Sequence, residues 1–206
     1  MLLDGPAGAR TTLVLAHGAG APMDSPWMNA VAAGLAARGV RVARFEFPYM
    51  ARRREGGKRT APDREPVLRR AWCDAVAGLG GGERLVIGGK SLGGRIASLV
   101  ADGLGVRGLV CLGYPFHPPG RPERLRTAHL AALGTPTLIL QGTRDPFGSP
   151  AEVAGYALSP KICVAWIADG DHDLRPRARS GRSAEQNLRE AIEAVAAFLV
   201  DLEGER

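Results

Sequence analysis

A serine hydroxyl becomes a useful nucleophile only when it is held in the open and relieved of its proton, and one stretch of this sequence carries residues suited to that. Gly88-Gly89-Lys90-Ser91-Leu92-Gly93-Gly94-Arg95 follows the apolar run Leu85-Val86-Ile87. It fits G-x-S-x-G, in which the serine sits on a sharp turn between a strand and a helix. Glycines at 89 and 93 would let that turn close and lift the side chain above the sheet edge. The same letters suggest the end of a phosphate loop, G-x-x-x-x-G-K-S, but the first glycine of that pattern would fall at Arg84. A plainer reading stays open beside the nucleophile: glycines ending a strand before a helix that Ser91 caps.

The serine needs a frame, and the chain alternates strand and helix with little interruption. Candidate strands are Thr12 to Ala16, Val40 to Phe45, Arg84 to Ile87, Gly108 to Leu112, Thr137 to Leu140 and Ile162 to Ile167. Most are near-continuous apolar runs, as expected of strands covered on both faces, and the helical stretches between them predict a parallel sheet. Ligands of such sheets bind beyond the carboxyl ends of the strands. The residues at those ends are His17-Gly18-Ala19-Gly20, Ser91, Gln141-Gly142-Thr143-Arg144-Asp145 and Asp169-Gly170-Asp171-His172-Asp173, all on one rim.

The helices carry their own punctuation. Asp24-Ser25-Pro26 supplies a cap and a proline for the first turn, and Gly39 closes that helix. Ser183 and Gln186 have capping-box spacing ahead of Leu188, Ile192, Val195, Leu199 and Leu202 on one helical face. Phe47 to Asp63 reads as a long loop of the kind that forms a lid or binding region. With only a dozen residues before the first apolar run, the antiparallel leading strands of larger α/β proteins are expected to be missing.

Composition narrows the function classes. At 206 residues and 45% apolar, one domain spanning 1–206 is expected. The amino terminus lacks a signal-peptide pattern and no apolar run approaches bilayer length, so a cytoplasmic protein with no membrane partner is expected. Much of the net charge of +6 falls between Arg52 and Arg70, where eight basic residues face three acids. Without interleaved aromatics or a binding module, a solvated loop or an anion-attracting rim explains it better than nucleic acid. Cys73, Cys111 and Cys163 are read as buried free thiols. No metal-ligand cluster and no G-x-G-x-x-G after a strand is present, so neither a metal nor another cofactor is implied.

Taken in order, His17 to Ala21, Met23 to Pro26, Arg44 to Met50, Gly88 to Arg95, Gln141 to Gly148 and Gly170 to His172 resemble an α/β-hydrolase. The likeness is closer to the small dienelactone-hydrolase-like family, which includes the hydrolase-like domain of a subunit of the non-specific-lethal chromatin complex. The resemblance implies a compact α/β-hydrolase fold of about six mainly parallel strands, with Gly113 to Thr127 replacing a bulky cap. It implies Ser91 as nucleophile, Asp145 as the acid that orients the base, and His172 as general base, in the chain order such enzymes use. Backbone N–H groups of Leu92 and Ala19 would form the oxyanion hole. His17, Lys90, Arg52 and Tyr49 are candidates for substrate contact, although His17 fits the oxyanion turn better than proton exchange. His117 and His129 are read as surface histidines. The activity so implied is cleavage of a small-molecule carboxylic ester or thioester through an acyl-enzyme; the alternative is a catalytically silent binding or scaffold protein. Oligomeric state is left open.

Overall fold

The computed structural model describes residues 1–204. Seven strands form one sheet: β1 (Leu2–Asp4), β2 (Thr12–Ala16), β3 (Arg41–Phe45), β4 (Leu85–Lys90), β5 (Gly108–Leu112), β6 (Thr137–Gly142) and β7 (Ile162–Ile167), in the order β1-β3-β2-β4-β5-β6-β7. From β3 to β7 the pairing is parallel throughout. The alternation of side chains along each strand feeds two cores. On β2, Leu13 and Leu15 pack with Met28 and Val31 of α1 (Pro26–Ala36) and Ile192 and Val195 of α6 (Ala184–Gly204). Val14 and Ala16 face the other way, toward Leu68 and Trp72 of α3 (Glu65–Ala77) and Ile96 of α4 (Leu92–Ser98). This two-sided burial explains why the strands read as continuous apolar runs.

Two expectations give way. The sheet has a short antiparallel strand, β1, paired with β3 from Leu2↔Arg44 to Asp4↔Val42. Three residues are too few to show periodicity, and a side chain from β3 secures them: Arg44 is buried and holds Asp4 at 2.9 Å, Asn29 Oδ1 at 2.6 Å and the Met23 carbonyl at 2.8 Å. The segment from Phe47 to Asp63 is not all loop either, since α2 (Pro48–Arg54) opens it. Pro48 presets the first turn while Tyr49 and Met50 bury against the core, outweighing the three arginines that follow, of which Arg52 and Arg54 are exposed.

The caps fall where the residue types put them. Ser25 caps α1, and Ser183 and Gln186 exchange hydrogen bonds of 3.1 and 2.7 Å ahead of α6. The segment from Gly113 to Thr127, expected in place of a cap, runs irregularly between β5 and β6, and the short α5 (Pro150–Val153) follows β6. All three cysteines are free, but only Cys111 is buried; Cys73 is half-buried and Cys163 exposed on the edge strand β7. Among the described residues no helix is long and apolar enough to cross a membrane.

Candidate active site

Ser91 lies between the end of β4 and the start of α4 with φ 50° and ψ −110°, a region non-glycine residues occupy at a cost on the order of 1–3 kcal/mol. The turn is this tight because it abuts β2. A Cβ at position 89 would stand 2.2 Å from the Ala16 carbonyl oxygen, and one at 93 would stand 2.4 Å from the same atom, so both positions demand glycine. Although Ser91 occupies the N-cap position, its side chain makes no capping hydrogen bond. The hydroxyl is directed instead to His172, with Oγ and Nε2 2.8 Å apart.

His172 sits in the loop after β7, and its Nδ1 lies 2.8 Å from Asp145 Oδ2. A carboxylate only accepts, so Nδ1 carries the proton and Nε2 presents a lone pair to Ser91. The Phe147 ring tilts over the imidazole with centroids 4.2 Å apart. Asp145, 1% exposed, is surrounded by donors: besides His172, Gln141 Nε2 reaches Oδ2 at 2.9 Å and the Phe147 N–H reaches Oδ1 at 2.9 Å. Gln141 is oriented by the Tyr114 N–H, which donates to its Oε1 at 2.7 Å and leaves the amide NH₂ for Asp145.

The candidate oxyanion donors are held from behind. Neither Leu92 N–H nor Ala19 N–H has a partner among the described residues. His17 is fully buried; its Nδ1–H donates to the Gly18 carbonyl at 2.7 Å and its Nε2 accepts from Phe47 N–H at 3.1 Å. Tyr49, also fully buried, donates from its hydroxyl to the Gly18 and Ala19 carbonyls, each at 3.2 Å. In a trans peptide the N–H points opposite to the C=O. Pinning the Gly18 carbonyl against Tyr49 and His17 therefore turns Ala19 N–H away from them. Burial lowers the His17 pKa and pushes Tyr49 up to about 12, so the pinning hydroxyl keeps its proton.

Of the four candidates for substrate contact, His17 and Tyr49 are fully buried. They stand behind the His17-to-Gly20 turn and hold its carbonyls. Arg52 pairs with Asp63 at 2.5 Å, while Arg54 is shared between Asp24 and Glu46. Lys90 is buried and turned toward the His172 loop. His117 and His129 are not surface residues: His117 is 2% exposed and held to the Pro118 carbonyl, and half-buried His129 meets Ser98 at 2.8 Å. Gln141 and Asn187 carry roles that sequence reasoning did not assign. Asn187, buried in α6, holds the Ala168 and Leu174 carbonyls on either side of His172. The available signal was a polar residue within an apolar run or stripe. A groove of about 740 Å³ between β3, α2 and α3 is lined by Phe45, Glu46, Pro48 and Val67 and by none of Ser91, Asp145 or His172.

The profile of the alpha/beta hydrolase domain family matches residues 9–200. The chain belongs to this family. The assignment reaches the superfamily and no narrower group. A protein of the alpha/beta hydrolase superfamily from Xanthomonas campestris pv. campestris is 25% identical, with 93% of this chain and 99% of that one covered at a TM-score of 0.64. An α/β serine hydrolase without lid from Xanthomonas campestris is 19% identical, covers 97% of this chain and 87% of its own, and gives 0.67. Est1E from Butyrivibrio proteoclasticus, 15% identical over 98% and 93% of the two chains, gives 0.71. At such low identities the last two likenesses concern the fold.

Proposed function

We propose that this α/β-hydrolase cleaves a small-molecule carboxylic ester or thioester by way of an acyl-enzyme on Ser91. The observation that carries the reading is the unbroken relay Ser91–His172–Asp145, with both contacts at 2.8 Å. His172 Nε2 takes the Ser91 proton as Oγ attacks the carbonyl carbon, and Asp145 stabilises the imidazolium through Nδ1–H. The oxyanion of the tetrahedral intermediate accepts hydrogen bonds from Leu92 and Ala19 N–H. Collapse expels the alkoxide or thiolate, which leaves protonated by His172. Water then gives its proton to the same nitrogen, attacks the acyl group, and releases the acid and Ser91.

Small neutral substrates suit the site as well as anionic ones, because Arg52 and Arg54 are already paired with carboxylates. The test is a panel of p-nitrophenyl esters and acyl thioesters against wild type and Ser91→Ala. Turnover that Ser91→Ala abolishes supports the proposal. Turnover that survives the substitution overturns it, and a complete lack of turnover in wild type returns the scaffold reading.

A further inference from the structure

Acyl transfer leaves the lysine inside the serine turn without a task. Lys90 is 8% exposed, and its side chain runs between three parts of the site. Its stem packs under the oxyanion turn, where a Cβ on Gly18 would lie 3.5 Å from Lys90 Cγ. Its Nζ donates to the His172 carbonyl at 2.5 Å and pairs with Asp173 Oδ1 at 3.2 Å. The ammonium also stands 5.6 Å from the centre of the Trp27 ring, whose Nε1–H donates to the Asp173 carbonyl at 3.1 Å.

The loop that carries His172 needs such a hold. Asp169 and Leu174 have left-handed backbone at φ 53° and 64°, conformations that side chains other than glycine disfavour. Arg144 and Arg177 fasten Asp169, and Asn187 fastens Ala168 and Leu174, so the flanks are secured. At His172 itself the ring is held by Asp145 and Ser91. Its carbonyl has Lys90 as the sole donor among the described residues. Position 113 is glycine for the same crowding: a Cβ there would come within 2.9 Å of that carbonyl oxygen.

We infer that Lys90 is a positioning residue for the base: through the His172 carbonyl it holds the imidazole in register with Ser91, and it does not bind substrate. The inference rests on the acyl-transfer reading above. Of the two polar contacts, the carbonyl bond does the positioning, because Asp173 is more than half exposed and an ion pair of that kind contributes little. Burial lowers the Lys90 pKa, while Asp173, Asp145 and Asp171 pull in the opposite direction.

Lys90→Met keeps the stem and removes the donor. Misplacing a reacting group by about an ångström can cost on the order of a hundredfold in rate. The expected result is therefore a kcat lowered about ten- to hundredfold, with KM unchanged and fluorophosphonate labelling of Ser91 slowed by the same factor. Asp173→Asn keeps kcat within about threefold of wild type, the range of an exposed pair. A Lys90→Met enzyme that labels and turns over like wild type overturns the inference. So does one whose KM rises while its labelling rate holds, since that makes Lys90 a substrate contact. Wild type that neither labels nor turns over sinks the acyl-transfer reading itself, and this inference with it. Should Lys90→Met fail to fold, the bond is read in the wild-type protein. The lysines are Lys58, Lys90 and Lys161. A ¹⁵Nζ spectrum should then hold one slowly exchanging ammonium, assigned to Lys90, and three freely exchanging ones would contradict it.

Discussion

Ser91 Oγ stands 2.8 Å from His172 Nε2, and Ser98 Oγ stands 2.8 Å from His129 Nε2, two turns along the same helix. Distance does not tell the pairs apart; the direction of the protons does. Asp145 fixes the Nδ1–H tautomer of His172, so a lone pair faces Ser91. Ser98 has already given its proton to the Arg95 carbonyl at 2.7 Å, a bond back to the preceding helical turn. His129 can then only donate to it. No carboxylate stands behind His129 at hydrogen-bond distance among the described residues, and Ser98 is 3% exposed, beyond the reach of a substrate. On the proposed acyl-transfer reading, a serine–histidine contact becomes a nucleophile and base only with a third group that sets the tautomer and a backbone that presents the hydroxyl.

The contrast is sharpest under substitution. Asp145→Asn should lower kcat by about 10⁴, the scale for a triad left with the wrong tautomer. His129 has no equivalent partner to lose. A kcat within tenfold of wild type would mean that the Asp145 contact does not set the His172 proton. Ser98→Ala should leave kcat unchanged within twofold and cost about 1 kcal/mol of stability in urea unfolding, as for one buried hydrogen bond. A large fall in kcat there would break the distinction between the two pairs.

Tyr49→Phe probes the mount of the oxyanion turn. Removing a donor to the oxyanion itself costs 10²–10³, so loosening its support should lower kcat by about tenfold with KM unchanged. If KM rises instead, Tyr49 touches substrate after all.

The smallest expected effect is on the pH dependence of stability. Burial, followed by the charges of Arg95 and Arg69, holds His129 below the usual histidine range. The unfolded chain then binds more protons than the folded one, so this residue's share of stability is complete at neutral pH. That share is lost as the pH falls below about 6.5 toward the depressed value. Urea unfolding at about pH 7.5 and pH 5.5 should show a smaller loss on acidification in His129→Gln than in wild type. Equal losses would place His129 in a solvent-like setting.

How much was legible in the sequence follows from how local each feature is. β2 to β6 appear as apolar runs because each is covered on both faces, whereas the edge strand β7 is only half-buried, and the turn at Ser91 appears because close approach to Ala16 forces glycine at 89 and 93. The order of polar residues at the strand ends brought Ser91, Asp145 and His172 to one rim. β1 was too short to read, and it depends on Arg44, forty residues away in sequence. His17 was read into the right turn, but that His17 and Tyr49 are both fully buried behind it was not legible. Which way a ring turns is decided by packing against Phe47, not by neighbours in sequence. Gln141 and Asn187 were silent because a buried amide earns its place only through partners from other elements.

The account stands or falls on which hydroxyl is the nucleophile. Labelling the wild-type protein with a fluorophosphonate and mapping the modified peptide tests this directly. The account predicts one adduct per chain, on Ser91, with Ser98 unmodified and labelling lost in Ser91→Ala. An adduct on any other residue, or labelling that persists in Ser91→Ala, would contradict it.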